Sequence, residues 1–348
     1  MSARVDGLDA ARGLALIGMF AAHVGDTGRR GSDADGWGWL VVFDGRASAL
    51  FAVLAGVSMS LMLTGRGGAA SAGAVAHTRA RIAVRGGLLL VLGWMLAWLE
   101  TPVDVILDNL GIMFLLVLPA LAWRPAVQAA AGAGVLVVGG PLLGWADPWL
   151  APFDGPVIHE LWSTHYPALV WSGYLLIGLA IGRWAPWRGP DLASLAGGGA
   201  MVAVGVYGLG LGLGGSWTDD AGVAWASVAP HSYTGFEMLG NVGVAAAVIG
   251  GCVAAASAAP RAIWPLASTG RMTLSLYVAH IVVIAIVGDA MVWEPSNVAW
   301  VVLTGAAVTA ACVWRATLGQ GPLERVLARA SSAVADSAVP RTPLGGAA

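Results

Sequence analysis

The sequence predicts an all-α protein, a polytopic membrane bundle of about ten transmembrane helices. Three observations carry that prediction. Of 348 residues, 57% are hydrophobic and 11% charged, and mean hydropathy is +0.75, far from the composition of an ordinary water-soluble domain. The apolar residues gather into runs of near-spanning length at 8–25, 44–64, 82–99, 104–123, 126–145, 167–185, 192–214, 234–256, 264–288 and 298–317. The basic residues are all arginine, and they partition between the gaps as ten crossings with both termini in the cytoplasm would place them.

The first run carries Asp9 and Arg12 near its start and His23 at its end. At about 100° per residue these three project onto one face, with Arg12 and His23 roughly 16 Å apart along the axis. Ionisable groups are costly in lipid and usually face a protein interior or a watery cavity, so this helix is a functional candidate. Its charges and the lack of a small-residue cleavage site argue against a removable signal peptide. The third run follows an inner loop over 65–81 that opens as a glycine- and alanine-rich linker. In the fourth run Asp104 and Asp108 are one helical turn apart and share a face. The ninth places Arg271 near its cytoplasmic third, with Ser268 and Ser275 on the same face, and Tyr277 and His280 as an i, i+3 pair nearer the outside. Tryptophans cluster at run ends, as interfacial anchors do (Trp98, Trp123, Trp145, Trp184, Trp187). Cys252 and Cys312 lie singly within runs, giving no disulfide framework and no metal site. The chain therefore reads as one transmembrane domain over 1–320. A cytoplasmic tail follows at 321–348, amphipathic over 322–329 along the inner surface and disordered beyond.

Charge separates the two sides. Arg29, Arg30 and Arg46 fall outside; the other fifteen arginines fall inside, among them Arg66, Arg79, Arg81, Arg85, Arg124, Arg183, Arg188 and Arg261. Outer loops are acidic, with Asp33, Asp35, Asp147, Asp154, Glu160, Asp219, Asp220 and Glu294. Histidines favour the outer side: His23, His159, His165, His231 and His280, against His77 alone inside. A neutral imidazole near pH 7 is the usual general base for acyl transfer. The loop histidines His159, His165 and His231 read first as ordinary loop polar groups. His23 stands apart because its helix also carries Asp9 and Arg12. Asp104 and Asp108 suit orientation or charge balance of a histidine, although an acidic helix start is also favoured by the helix dipole. Ser, Thr and His in the ninth run fit either a polar path or hydrogen-bonded helix packing. The inner arginines suit an anionic phosphate-bearing ligand, and the inside bias of positive charge accounts for them equally well.

Several stretches together resemble a known family. Leu8-Asp9-Ala10-Ala11-Arg12-Gly13-Leu14-Ala15-Leu16-Ile17-Gly18-Met19 is similar to the first-helix signature of transmembrane acyltransferases related to heparan-α-glucosaminide N-acetyltransferase and bacterial YeiB-like membrane proteins. Phe51-Ala52-Val53-Leu54-Ala55-Gly56-Val57-Ser58, the stretch Asp104–Gly111, the stretch Tyr174–Arg183, Gly270-Arg271-Met272-Thr273-Leu274-Ser275-Leu276-Tyr277 and Gly321-Pro322-Leu323-Glu324 continue the likeness in the same order. The resemblance implies transfer of an acetyl or other acyl group from cytoplasmic acyl-CoA to an extracytoplasmic sugar, glycan or lipid-linked acceptor. In that reading His23 is the base, helped by Asp104 or Asp108. Arg12, Arg183 and Arg271 attend the acyl-CoA, and Asp9, Tyr277 and His280 attend the acceptor. The expected setting is the bacterial inner membrane, among lipids, with no metal, no nucleic-acid partner, and a homodimer compatible with the sequence. One departure stands out. The animal acetyltransferase has an asparagine at the outer end of helix one and a histidine in the next loop, whereas here His23 holds the asparagine-like place and 24–76 lack histidine. Either His23 is the base, as a helix-end histidine is in the acyltransferase-three family that this segment also resembles, or the activity has diverged. A secondary transporter or lipid-handling channel, using the same Asp, Arg and His, is the alternative reading.

Overall fold

A computed structural model describes residues 5–28, 38–64, 72–150, 152, 155–162, 165–184, 187, 191–217 and 222–338. Arg29, Arg30, Asp33, Asp35, Arg66, Asp154, Arg188, Asp219 and Asp220, the linker at 65–71 and the tail beyond 338 lie outside them. The described chain is helical, without strands. Its helices are α1 (Asp6–Val24), α2 (Arg46–Thr64), α3 (Ala72–Ala97), α4 (Leu107–Leu116), α5 (Pro125–Leu150), α6 (Pro156–Trp162), α7 (Ala168–Trp184), α8 (Asp191–Gly212), α9 (Gly235–Ala258), α10 (Pro260–Gly270), α11 (Thr273–Val287), α12 (Ala290–Trp293), α13 (Asn297–Thr317) and α14 (Pro322–Ala338). Each of the ten apolar runs holds helix. By length and composition six stretches are able to cross a membrane, or seven if the bent α10–α11 pair is one span; α4 and α7 are apolar but shorter.

Two helices form the centre. α1 buries residues on nearly every side, from Leu8 and Ala11 to Phe20 and Val24, and α7 does the same with Trp171, Tyr174, Leu175 and Leu179. α5, α8 and α13 bury little and turn residues such as Val138, Met201, Val204 and Val298 outward, as a lipid-facing ring does. Small residues set the crossings. A Cβ on Gly56 would strike the Leu175 carbonyl, and one on Gly178 the Val53 carbonyl, so α2 and α7 meet backbone to backbone. Gly13 and Gly270 do the same for α1 and α10, where a Cβ on Gly270 would collide with the Asp9 carbonyl. Lipid supplies no hydrophobic drive between helices, so such close approach is a main source of their attraction. It also explains why the family-like stretches are rich in glycine.

Three expectations need correction. Asp104 is not on a helix: α4 begins at Leu107, where the Ile106 N–H donates to the Tyr277 hydroxyl (3.3 Å) and where Gly93 of α3 packs against the Asp108 backbone. Asp104 and Asp108 therefore share no helical face. The ninth run is broken, not continuous: α10 and α11 meet at Arg271–Met272 with a 61° bend. Composition hides the break because both halves are apolar, while a distant segment stabilises it. Glu324 accepts from the Ser275 N–H (3.0 Å) and hydroxyl (2.6 Å) in the first turn of α11, and the Leu323 N–H donates to Ser275 Oγ (3.1 Å). Consequently Ser268 and Ser275 do not share a face. Third, helix α3 starts at Ala72, so Arg79 and Arg81 lie on a helix and not in the inner loop. The amphipathic piece expected over 322–329 extends to Ala338 and packs along α3 and α11. Arg85 Nε donates there to Ser331 Oγ (3.2 Å), and His77 meets Asp336 at 2.9 Å.

Candidate functional site

At the end of α1 that begins the helix, Asp9 is fully buried and joins two guanidiniums. Arg12, one turn on, donates to Asp9 Oδ1, and its second amino group donates to Ser58 of α2 (2.8 Å). Arg271, at the α10–α11 break, donates to Asp9 Oδ2 (3.2 Å) and to Asp6 (3.0 Å). Arg315 of α13 reaches Asp6 at 3.6 Å and Ser268 Oγ at 3.2 Å, with its guanidinium over the Trp264 ring. Among the described residues, Arg12, Arg271 and Arg315 with Asp6 and Asp9 thus tie four helices together. Arg183 stands outside this group and donates to the Trp123 carbonyl (2.5 Å).

At the far end of α1 the chemistry is different. Half-buried His23 places Nδ1 3.0 Å from Nε2 of His280, which is 257 residues away in sequence and 1% exposed. Their rings are nearly parallel, 5.2 Å between centroids, and Phe20 and Tyr277 cover His280 at 4.8 and 4.9 Å. The Tyr277 hydroxyl then reaches the Ile106 N–H, the step into α4, and two residues on is Asp108, buried at 6% exposure. Here lies a cavity of about 320 Å³, lined by Asp104, Asp108, Asn109, His159, Glu160, His165 and Tyr166, among others. Asn109 joins two of its three carboxylates: its N–H donates to Asp108 Oδ1 (2.9 Å) and its amide donates to Glu160 Oε2 (2.5 Å). Burial, then the charge of Asp108, raises the Glu160 pKa. Asp104 sits on the exposed rim, 3.3 Å from His165. Burial pushes the Tyr166 phenol up to about 12, so it remains a hydrogen-bond donor at neutral pH.

The sequence reading took His231 for an ordinary loop group and missed Tyr233 and Glu237 beside it. His231 and Tyr233 both hold left-handed backbone (φ 61° and 56°), a costly state for such side chains. Buried Glu237 restrains them by accepting from the His231 (3.1 Å) and Tyr233 (2.8 Å) N–H groups and from Asn241 (3.1 Å). Tyr207 donates to Asn241 (2.6 Å), and Arg46, 7% exposed, lies over the rings of both Tyr207 and Trp217. The loop sets His231 against Trp171, Tyr166 and His165. One signal was readable in advance: Thr234-x-x-Glu237 is the spacing of a helix N-cap, and Thr234 Oγ1 does accept from the Glu237 N–H (3.1 Å). Glu160 and Asn109 gave none, since their meeting depends on α6 folding over α4.

Of the residues singled out from sequence, Asp9, Arg12 and Arg271 form one cluster, while His23, His280, Tyr277 and Asp108 form a line at the opposite end of α1. Asp104 joins the rim of the cavity, and Arg183 joins neither group. Among the described residues no group of three or more His, Cys, Asp or Glu side chains is arranged to hold a metal ion. Among curated proteins, none matches the chain. Residues 198–333 match a protein family of unknown function, DUF418. Residues 4–208, more than half the chain, match the catalytic family of heparan-alpha-glucosaminide N-acetyltransferase, and the chain belongs to that family.

Proposed function

We propose that this protein is a membrane acyltransferase that passes an acetyl or other acyl group from cytoplasmic acyl-CoA to an extracytoplasmic sugar, glycan or lipid-linked acceptor. The observation that carries the reading is the acetyltransferase-family match over 4–208, which includes Arg12, His23 and Asp108. In the reaction the acceptor nitrogen or oxygen attacks the thioester carbonyl, the C–S bond breaks, and a C–N or C–O bond forms. His23 takes the acceptor proton and returns it to the departing thiolate, so that no net proton is gained or lost. Asp108 in the cavity supplies charge balance on the acceptor side, with Tyr277 and His280 behind it. The guanidiniums of Arg12, Arg271 and Arg315 suit the phosphates of the donor. Arg183, engaged at Trp123, gets no role in this scheme. Ten crossings with both termini in the cytoplasm of a bacterial inner membrane put those guanidiniums on the donor side and His23 on the acceptor side. Lipids surround the bundle, and a homodimer is compatible with it.

The test uses full-length protein in nanodiscs with labelled acetyl-CoA and amino-sugar or lipid-linked acceptors. Label transfer by the wild type and its loss in His23→Ala supports the reading, and an undiminished rate in the variant removes His23 as base. Absence both of transfer and of any acyl-CoA-induced rise in Tm overturns the donor. One observation favours a second reading: α10–α11 is a discontinuous helix with Arg271 at its break, a device that transporters use at substrate sites. Flux of an unmodified solute into proteoliposomes would establish transport instead.

A further inference from the structure

We propose that His280 is a positioning residue that holds His23 in the tautomer with its proton on Nδ1, leaving the lone pair on Nε2. The proposal rests on the reading of His23 as the base and adds a member from outside the acetyltransferase match, since His280 lies in the stretch matched by the second family.

His280 sets the tautomer of the pair. Its Nε2 is taken by His23 at 3.0 Å, and its Nδ1 is buried without a regular hydrogen-bond partner. The oxygens that face this ring are the Tyr277 and Leu276 carbonyls of the preceding turn of α11. A lone pair on Nδ1 would point at those oxygens and repel them, whereas an N–H is attracted by them. The Phe20 and Tyr277 rings leave His280 little room to turn over. His280 therefore carries its proton on Nδ1, and its Nε2 is the acceptor. The hydrogen between the imidazoles then belongs to Nδ1 of His23, and neutrality leaves Nε2 of His23 basic. The opposite arrangement would place a proton on Nε2 of His23 and convert a base into a donor. A carboxylate does this orienting work in serine-protease triads, where the wrong tautomer costs about 10⁴ in kcat. Here a second neutral imidazole does it, without a formal charge at this depth. Tyr277 links the device to the cavity, because one face of it packs on His280 while its hydroxyl meets the N–H that precedes α4.

The test compares His280→Leu, which removes the acceptor, with His280→Gln, whose Oε1 can stand where Nε2 was. Histidine ¹⁵N spectra of the full chain in nanodiscs report the tautomer of His23, assigned through His23→Ala, without need of a substrate. The expected wild-type spectrum shows protonated Nδ1 and unprotonated Nε2 on His23. His280→Leu shifts the proton to Nε2, and His280→Gln restores the wild-type pattern. In the transfer assay His280→Leu lowers kcat by on the order of 10²–10⁴ with KM unchanged, and Gln recovers most of it. A wild-type His23 protonated on Nε2, or the same tautomer in wild type and His280→Leu, overturns the proposal. The tautomer switch without transfer to any acceptor upholds His280 as the orienting group and overturns the acyl-transfer reading alone.

Discussion

At one end of α1, Asp9 is fully buried between the guanidiniums of Arg12 and Arg271; at the other, His23 and His280 meet ring nitrogen to ring nitrogen at 3.0 Å, and Tyr277 links them to the backbone that enters a polar cavity. Both ends bury ionisable groups, yet they do so by different physics. The arginine end closes charge on charge across α1, α2, the α10–α11 break and α13, so each cation also serves as a helix-to-helix tie. The histidine end relies on hydrogen bonds and ring contacts, and its carboxylates face a cavity instead of cations. A buried ion pair resists the loss of either partner, because the survivor is left charged in a medium that solvates it poorly. An imidazole pair held by one hydrogen bond and ring contacts leaves no unpaired buried charge when half-buried His23 is replaced, and under the proposed function its value lies in proton transfer. The contrast teaches that ionisable groups in a span can be held by charge pairing at one end and by hydrogen bonds and ring contacts at the other.

Substitutions separate the two ends. The largest expected effect is from Asp9→Asn, which leaves Arg12 and Arg271 without their shared carboxylate and should cost about 3–5 kcal/mol, read as a large fall in Tm. A small change in Tm would mean that the arginine end is not a structural tie. His23→Ala should do the reverse: a loss of about 10²–10⁴ in kcat for acyl transfer, with Tm near that of the wild type. Tyr277→Phe removes the acceptor of the Ile106 N–H and should cost about 1 kcal/mol, together with lower activity through displacement of α4. An unaltered rate there would uncouple the imidazole pair from the cavity.

The smallest effect is one of pH. The Glu160 carboxyl in the fold titrates above its ordinary value of 4.5, because burial and the charge of Asp108 oppose ionisation. The folded chain therefore holds this proton to higher pH than the unfolded one. Its contribution to stability is complete below the unfolded-state pKa and is lost as pH rises through the folded one. Glu160→Gln should flatten that decline in a series of Tm measurements, and identical slopes for variant and wild type would deny that the fold raises the Glu160 pKa.

How legible the molecule was in its sequence differs between those ends. The Asp9–Arg12 pair could be read directly, because residues three apart on a helix meet. Arg271 was visible as a charge in an apolar run, but its reach to Asp9 requires the 61° bend, which Glu324 holds from far along the chain. His23 was visible from its place at the end of α1. Its partner was visible only as a histidine in another helix, and nothing in spacing joins positions 257 residues apart. The spacing of Asp104 and Asp108 misled, since it assumed a helix that starts only at Leu107, where α3 and Tyr277 receive it. Glu237 and the strained loop before it were hidden for the same reason, apart from the N-cap spacing at Thr234.

By itself the sequence determined that the chain is helical, apolar enough for a membrane, and studded with glycine where helices meet. Those properties are local: they follow from composition and from hydrogen bonds that close within a few residues of each other. It also determined the type of each ionisable group and, for Asp9, Arg12 and His23, its place along α1. Tertiary structure alone decided which of those groups touch. The break at Arg271, the meeting of His23 with His280 and the cavity between α4 and α6 all depend on how helices rotate and stagger against one another. Glycine-sized contacts and single buried hydrogen bonds set that packing, and the pairs they select lie far apart in sequence.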